Sequence, residues 1–159
     1  MKSLLPLAAS LALLITAPAL ADVRACPDLA TAVQVGACPT EEELSYTYKG
    51  YCSDNARLYG RDEVDCANYQ SYRKLKNIAL WEAADGTFSA YIGCEPSPTS
   101  LKGRAPTRVG VSKQGKMTRV VCTYGNDVVF TYRTRAECRV EGDGDCAVNP
   151  AACRAHCDE

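Results

Sequence analysis

Ten cysteines constrain this chain more than any other feature, and all of them follow an apolar leader. They are Cys26, Cys38, Cys52, Cys66, Cys94, Cys122, Cys138, Cys146, Cys153 and Cys157. An even number of thiols in an exported chain reads as a disulfide framework, because oxidising compartments keep such pairs closed. The leader carries Lys2, an almost unbroken apolar run over residues 4–20, and the small-x-small site Ala19-Leu20-Ala21. That pattern predicts a signal peptide over residues 1–21 and a mature chain starting at Asp22. The run lies near the lower length limit for crossing a bilayer, and no basic stop-transfer cluster follows it. No membrane span is therefore expected in the mature chain, and the expected location is periplasmic or secreted.

Residues 22–159 suit one domain, large enough to bury a core of its own. The whole chain is close to neutral, at −1. Its charge is unevenly spread. Residues 22–95 hold 7 basic and 12 acidic side chains, residues 96–140 hold 9 and 2, and residues 141–159 hold 1 and 5. A basic segment thus lies between two acidic ones. It can pair with them across the fold or face an anionic partner. No nucleic-acid partner is expected.

Three parts follow along the chain. Residues 22–76 read as helical. Pro27–Val35 predicts a brief helix stopped by Gly36. Thr40-Glu41-Glu42-Glu43 is a capping box, in which Thr40 accepts from the Glu43 amide and Glu43 reaches back. Ser53–Tyr59 predicts a helical turn closed by Gly60. A longer helix is expected from Asp62 to Lys76, with Val64, Ala67, Ser71/Tyr72 and Leu75 on one stripe.

From residue 77 to 137 the period changes to two. Asp85-Gly86 suits a hairpin turn, and pairing Ala84 with Thr87 puts Ala79, Trp81, Ala83, Phe88, Ala90, Ile92 and Cys94 on one apolar face. Residues 95–106 read as a loop. A second hairpin is expected to turn at Gln114-Gly115. A third, with the three-residue turn Gly125-Asn126-Asp127, pairs Tyr124 with Val128. That register gathers Val120, Cys122, Tyr124, Val128, Phe130 and Tyr132 on one face, with Val109 and Val111 added by the second hairpin.

Residues 138–159 form a cysteine-rich tail, expected to be bridged back onto the body. Cys153 and Cys157 are spaced for one face of a short helix. The expected fold class is α+β: short N-terminal helices followed by an antiparallel β-meander of about five strands, stapled by disulfides. Within the framework, the locally spaced bridges Cys26–Cys38 and Cys52–Cys66 are favoured, with Cys94 and Cys122 both facing the core.

The chemistry-bearing residues are few. His156 is the single histidine, so any Ser-His-Asp or Cys-His catalyst would depend on it. No G-x-S-x-G, H-E-x-x-H, Gly-rich phosphate loop or C-x-x-C occurs. Cys153, His156 and Cys157 make a small metal-like cluster that an oxidising compartment turns toward disulfides. Glu141, Asp143 and Asp145 alternate in a glycine turn but lack the calcium-loop spacing. No cofactor or metal is expected. Acids such as Asp62, Asp65 and Glu82 could serve a carboxylate hydrolase, yet nothing marks two of them as facing each other. Of the nine tyrosines, Tyr46, Tyr48, Tyr51, Tyr69 and Tyr72 cluster in the helical part, and most read as packing residues.

One constellation is more specific. The outer face of the third hairpin carries Arg119, Val121, Thr123, Val129, Thr131 and Arg133, with Arg119 opposite Arg133. Arg108 shares that face on the neighbouring strand, and Arg135 and Arg139 continue past it. Like charges opposed across strands are destabilising. They mark either a docking surface for an anionic partner or the protection of an exposed edge. Arg108, Arg119, Arg133 and Arg135 are the candidate partner-binding residues.

The leader, the element order and the run Val120-Val121-Cys122-Thr123-Tyr124 … Val128-Val129-Phe130-Thr131-Tyr132 … Cys138 resemble the closing hairpin of small cysteine-rich periplasmic proteins of proteobacteria. Some of these resemble lysozyme inhibitors, others immunity proteins that neutralise secreted toxins. The likeness covers about a third of the mature chain, and the helical part departs from those compact barrels. It implies a non-catalytic binding protein that blocks an enzyme by protein–protein contact. An anionic polysaccharide of the envelope is the alternative partner for the same face, and a small carboxylate hydrolase is the alternative activity.

Overall fold

Asp85 and Gly86 close a hairpin in the register that turn chemistry dictates. The structure, a computed structural model, describes residues 22–60, 63–125 and 128–158, with Glu63 described in its backbone alone. Residues 1–21, which carry the leader reading, and Asp62, Asn126 and Asp127 lie outside the described residues. Strands β3 (Ile78–Glu82) and β4 (Ser89–Gly93) pair Glu82 with Ser89 and Trp81 with Ala90. Asp85 Oδ1 accepts the Thr87 N–H at 3.0 Å and its hydroxyl at 2.8 Å, which fixes the turn. Ala79, Trp81, Ala83, Phe88, Ala90 and Ile92 are buried together, while Cys94 packs at the margin of the core.

The next three strands are β5 (Arg108–Gln114), β6 (Met117–Thr123) and β7 (Val129–Thr134). The third hairpin has the expected register: Thr123 opposes Val129, Arg119 opposes Arg133, and the Tyr124 N–H donates to the Val128 carbonyl at 3.0 Å. Val120, Cys122, Tyr124, Val128 and Phe130 are buried. The second hairpin turns one residue later than expected. Gln114 opposes Met117, so the turn is Gly115-Lys116, with Gly115 at φ 60° in its first position. Glycine is the residue that accepts this left-handed backbone without a Cβ clash. The pairing moves by two residues, and a shift of two preserves the faces. Val109 therefore remains buried and Val111 packs against the core.

The fold is mixed helix and antiparallel sheet, but two expectations about it are corrected. The helices do not come first, and the described residues form nine strands in two sheets rather than a five-stranded meander. The larger sheet has the order β2-β3-β4-β7-β6-β5, where β2 is Val33–Gln34. Its two halves meet where Ser89 opposes Thr131. The smaller sheet has the order β1-β9-β8, from β1 (Asp22–Ala25), β8 (Glu137–Val140) and β9 (Arg154–Asp158). It packs against β5 and β6. Ala155 and Cys157 of β9 point into the shared core.

The helix expected over Pro27–Val35 is absent. Asp28 Oδ1 captures the Ala30 N–H at 2.9 Å, a side-chain turn that competes with helix. Val33 and Gln34 then pair with Glu82 and Trp81 of β3. The tail helix is absent too. Cys153 ends a short 3₁₀ turn, Pro150–Ala152, and Cys157 lies in β9. Gly144 (φ 80°) lets the tail approach β5 closely: the Val109 N–H donates to its carbonyl at 2.9 Å, and a Cβ there would lie 2.3 Å from the Val109 carbonyl oxygen.

Helix α1 (Glu41–Tyr51) begins with the expected capping box at Thr40. Helix α2 (Asn55–Leu58) is the expected short turn, capped by Asp54. The long helix from Asp62 is instead two: α3 (Glu63–Cys66) and α4 (Tyr69–Lys76). Asn68 restarts the chain by accepting the Ser71 N–H at 3.0 Å. The stripe Val64–Leu75 is consequently not a core face: Val64 is 79% and Leu75 41% exposed, and only Tyr72 of that set is fully buried. Tyr72 packs with Cys52, Cys66, Tyr48, Tyr51 and Leu58 in a satellite cluster. Between β4 and β5 the expected loop holds a fifth helix, α5 (Pro98–Lys102), whose Leu101 joins the main core.

All ten cysteines are paired: Cys26–Cys122, Cys38–Cys94, Cys52–Cys66, Cys138–Cys157 and Cys146–Cys153. The local bridge Cys52–Cys66 is as expected, and Cys26–Cys38 is not. Cys26 instead follows strand β1 across the core to β6, and Cys38 ties the start of the helical part to the end of β4. The tail is not bridged to the body, since both of its disulfides close within residues 138–159. Its attachment is β1–β9 pairing and packing on β5.

Candidate functional site

Alternation along β5, β6 and β7 sends one set of side chains to the core and the other outward. The outward set includes Arg108, Arg119, Val121, Thr123, Val129, Thr131 and Arg133. Arg108 opposes Thr123, and Arg119 sits between Ser112 on one side and Arg133 on the other. Ser89 and Tyr91 of β4 share this side, and the Ser89–Thr131 register carries Tyr91 toward Val129. Tyr91 is 70% and Val129 37% exposed, and Arg108 and Arg133 are exposed as well. The face is thus exposed at Tyr91, Val129, Arg108 and Arg133, whereas Thr131 in its middle is buried and Arg119, Val121 and Thr123 are half-buried.

Arg108 stands opposite Asp145 of the tail in an isolated bridge. Arg108, Arg119 and Arg133 form no ion pair among the described residues. Arg119 is half-buried, and its Nε is fully enclosed without a hydrogen-bond partner among the described residues. An enclosed guanidinium N–H lacking an acceptor is costly.

The four candidate arginines are not all brought together. Arg108, Arg119 and Arg133 share the face. Arg135 lies past the end of β7, and Arg139 is on β8, where its Nη1 donates to Asp158 Oδ2 at 2.9 Å. Sequence reasoning missed Tyr91 as a member of this face. Its outward parity was readable from the first hairpin. Its proximity to β7 was not, because β4–β7 pairing spans non-consecutive strands.

The remaining chemistry is dispersed. His156 stands on β9 with its Nε2 3.4 Å from Glu141 Oε2, opposite Val23 and Arg139. Asp143 and Asp145 accept backbone N–H groups within their own turn. Asp65 is on α3 and Glu82 on β3, with no hydrogen bond joining them among the described residues. Among the described residues, no three His, Cys, Asp or Glu side chains gather as a metal-holding group. In the helical part, Tyr69 donates to Glu41 Oε1 at 2.6 Å, and Arg73 bridges Glu41 and Glu95 at 3.0 and 2.9 Å. The Tyr69 hydroxyl and then Arg73 hold the Glu41 carboxyl below its ordinary range. These groups fasten α1 to α4 and to the chain after β4.

No family model, curated protein or solved structure matches this chain. Five disulfides are present, and no helix among the described residues is long and apolar enough to cross a membrane.

Proposed function

We propose that this is an exported, non-catalytic binding protein of the periplasm or extracellular space, which blocks an enzyme by protein–protein contact. It would act as an inhibitor or immunity protein. The observation that carries the reading is the position of the Arg119–Arg133 pair. Charges on a sheet often guard an unpaired edge, but β6 and β7 are interior strands, with β5 and β4 beyond them. At Arg119, which Ser112 of β5 flanks, edge protection gives no reason for a charge, whereas an anionic partner does. Tyr91 and Val129 supply an exposed aromatic and apolar patch further along the same face, and tyrosine and arginine are the residues that dominate binding hot spots.

The test is an affinity pull-down from periplasmic extract, followed by titration of the captured protein. Arg119→Thr and Arg133→Thr should each weaken binding at least about fivefold, the scale of a contributing hot-spot residue. Binding should also weaken with added salt, because exposed charges are screened over about 8–10 Å at ordinary ionic strength. Unchanged affinity in both variants, with no salt dependence, overturns the assignment of the face. Retention of the protein by an anionic envelope polysaccharide, without any captured protein, would instead favour the polymer as partner.

A further inference from the structure

A second candidate site lies on the helical side, where α1 and α4 meet the start of β3. The Ala37–Pro39 segment, one side of α1, and the join of α4 to β3 enclose a solvent-open groove of about 1220 Å³. Leu44, Tyr46, Tyr51, Tyr72 and Ile78 line it. Sites for small organic ligands typically occupy roughly 300–1,000 Å³ and combine apolar walls with a few polar groups, so there is ample room. Thr47 and Gly50 lie on the groove side of α1 and leave its wall low. A Cβ at Gly50 would meet nothing within 4 Å.

The charged groups described in the groove lean positive, two lysines against one carboxylate. Lys49 and Lys76 both line it, and neither forms an ion pair among the described residues. The Lys76 ammonium instead lies 5.0 Å from the Tyr51 ring centroid. Glu43 is the one carboxylate among the described residues of the lining, and its hydrogen bonds turn it toward the helix cap. Its Oε2 accepts the Thr40 N–H at 2.7 Å and the Thr40 hydroxyl at 3.1 Å, and these bonds hold its carboxyl below the ordinary range. Among the described residues the groove therefore presents apolar and aromatic walls, two lysines and one carboxylate, a balance of one positive charge.

We infer that this groove binds a monomeric anionic amphiphile, an elongated apolar or aromatic body with one carboxylate, sulfonate or phosphate head. The head meets Lys49 and Lys76. The body lies along Leu44, Tyr46 and Tyr51. The charge complementarity selects against cationic and zwitterionic molecules of the same shape.

The test uses 8-anilinonaphthalene-1-sulfonate as a fluorescent probe on the folded, oxidised protein, displaced by dodecanoate below its micellar concentration. Saturable probe binding at one site, displaced by dodecanoate but not by methyl dodecanoate, is expected. The double variant Lys49→Gln/Lys76→Gln should lose at least about fivefold in dodecanoate affinity, and Thr47→Trp should weaken binding by narrowing the groove beside α1. Each variant is checked for native near-UV circular dichroism. Arg119→Thr should leave probe binding unchanged, which separates this site from the docking face. Equal binding by wild type and Thr47→Trp, displacement by methyl dodecanoate as well as by dodecanoate, or co-sedimentation with phosphatidylglycerol vesicles without binding of the monomer would each overturn it.

Discussion

Arg119 lies directly opposite Arg133 across the β6–β7 ladder, in the interior of the six-stranded sheet. Opposed like charges cost a few tenths to about 1 kcal/mol. The enclosed Arg119 Nε adds an unmet hydrogen bond. Arg119→Thr should therefore raise stability by up to about 1 kcal/mol in urea titration, and Arg133→Thr by less, because Arg133 is more exposed. Removing both should gain no more than removing Arg119 alone, since the repulsion needs two partners. A loss of stability in Arg119→Thr would mean that the stem of Arg119 contributes more by packing than its charge costs.

The disulfides should rank by the length of chain they close. Cys26–Cys122 spans 96 residues and Cys52–Cys66 spans 14. Chain-entropy arguments assign about 4.7 kcal/mol to a loop of roughly 100 residues and about 3 to one of roughly 15. Cys122 is also wholly buried, so its replacement by alanine leaves a defect in the core. The double variant Cys26→Ala/Cys122→Ala should lose more stability than Cys52→Ala/Cys66→Ala in guanidinium titration. Peptide mapping without reduction should recover the five pairs seen here and no free thiol.

His156 should be dispensable for binding. Its nearest charged neighbour is Glu141, and it stands on the smaller sheet, whereas the arginine face belongs to the larger one. His156→Ala should keep partner affinity within a factor of two or so. If instead a hydrolytic activity is found and this variant loses 10²-fold or more with folding intact, a catalytic imidazole is indicated.

The hairpins were legible in the sequence because strand parity is a strong constraint. Burying Trp81 with Phe88, and Tyr124 with Val128, leaves one register for each of those hairpins. The Gly115 turn was placed one residue early because parity is blind to a shift of two: Val109 and Val111 face inward in either pairing. The tail failed for a related reason. A spacing of four between Cys153 and Cys157 fits one helix face, yet the same residues with Ala155 between them also alternate as a strand. Only pairing with β1 decides between the two, and that contact is distant in sequence. Cys26–Cys122 was hidden in the same way. The Arg119–Arg133 relation was readable because it is local to one hairpin. That both strands are interior was not, because it depends on β4 and β5 flanking them.

Tyr124 should govern part of the alkaline stability. Its hydroxyl donates to the Pro27 carbonyl, linking β6 to the chain just after β1 across the core. Burial first, and then the charge of Asp28, push its phenol well above the ordinary value near 10. A phenol whose folded pKa is raised favours folding while it is neutral in both states. That contribution is complete below about pH 10 and is lost as pH rises further, where the unfolded chain ionises and the folded one resists. Tyr124→Phe should therefore show a shallower fall in stability above pH 10 than the wild type. At neutral pH the same variant should cost about 0.5–1.5 kcal/mol, because the half-buried Pro27 acceptor loses its donor. Paired urea titrations at neutral pH and above pH 10 measure both effects. Parallel losses in the two proteins would show that Tyr124 ionises as freely in the folded chain as in the unfolded one.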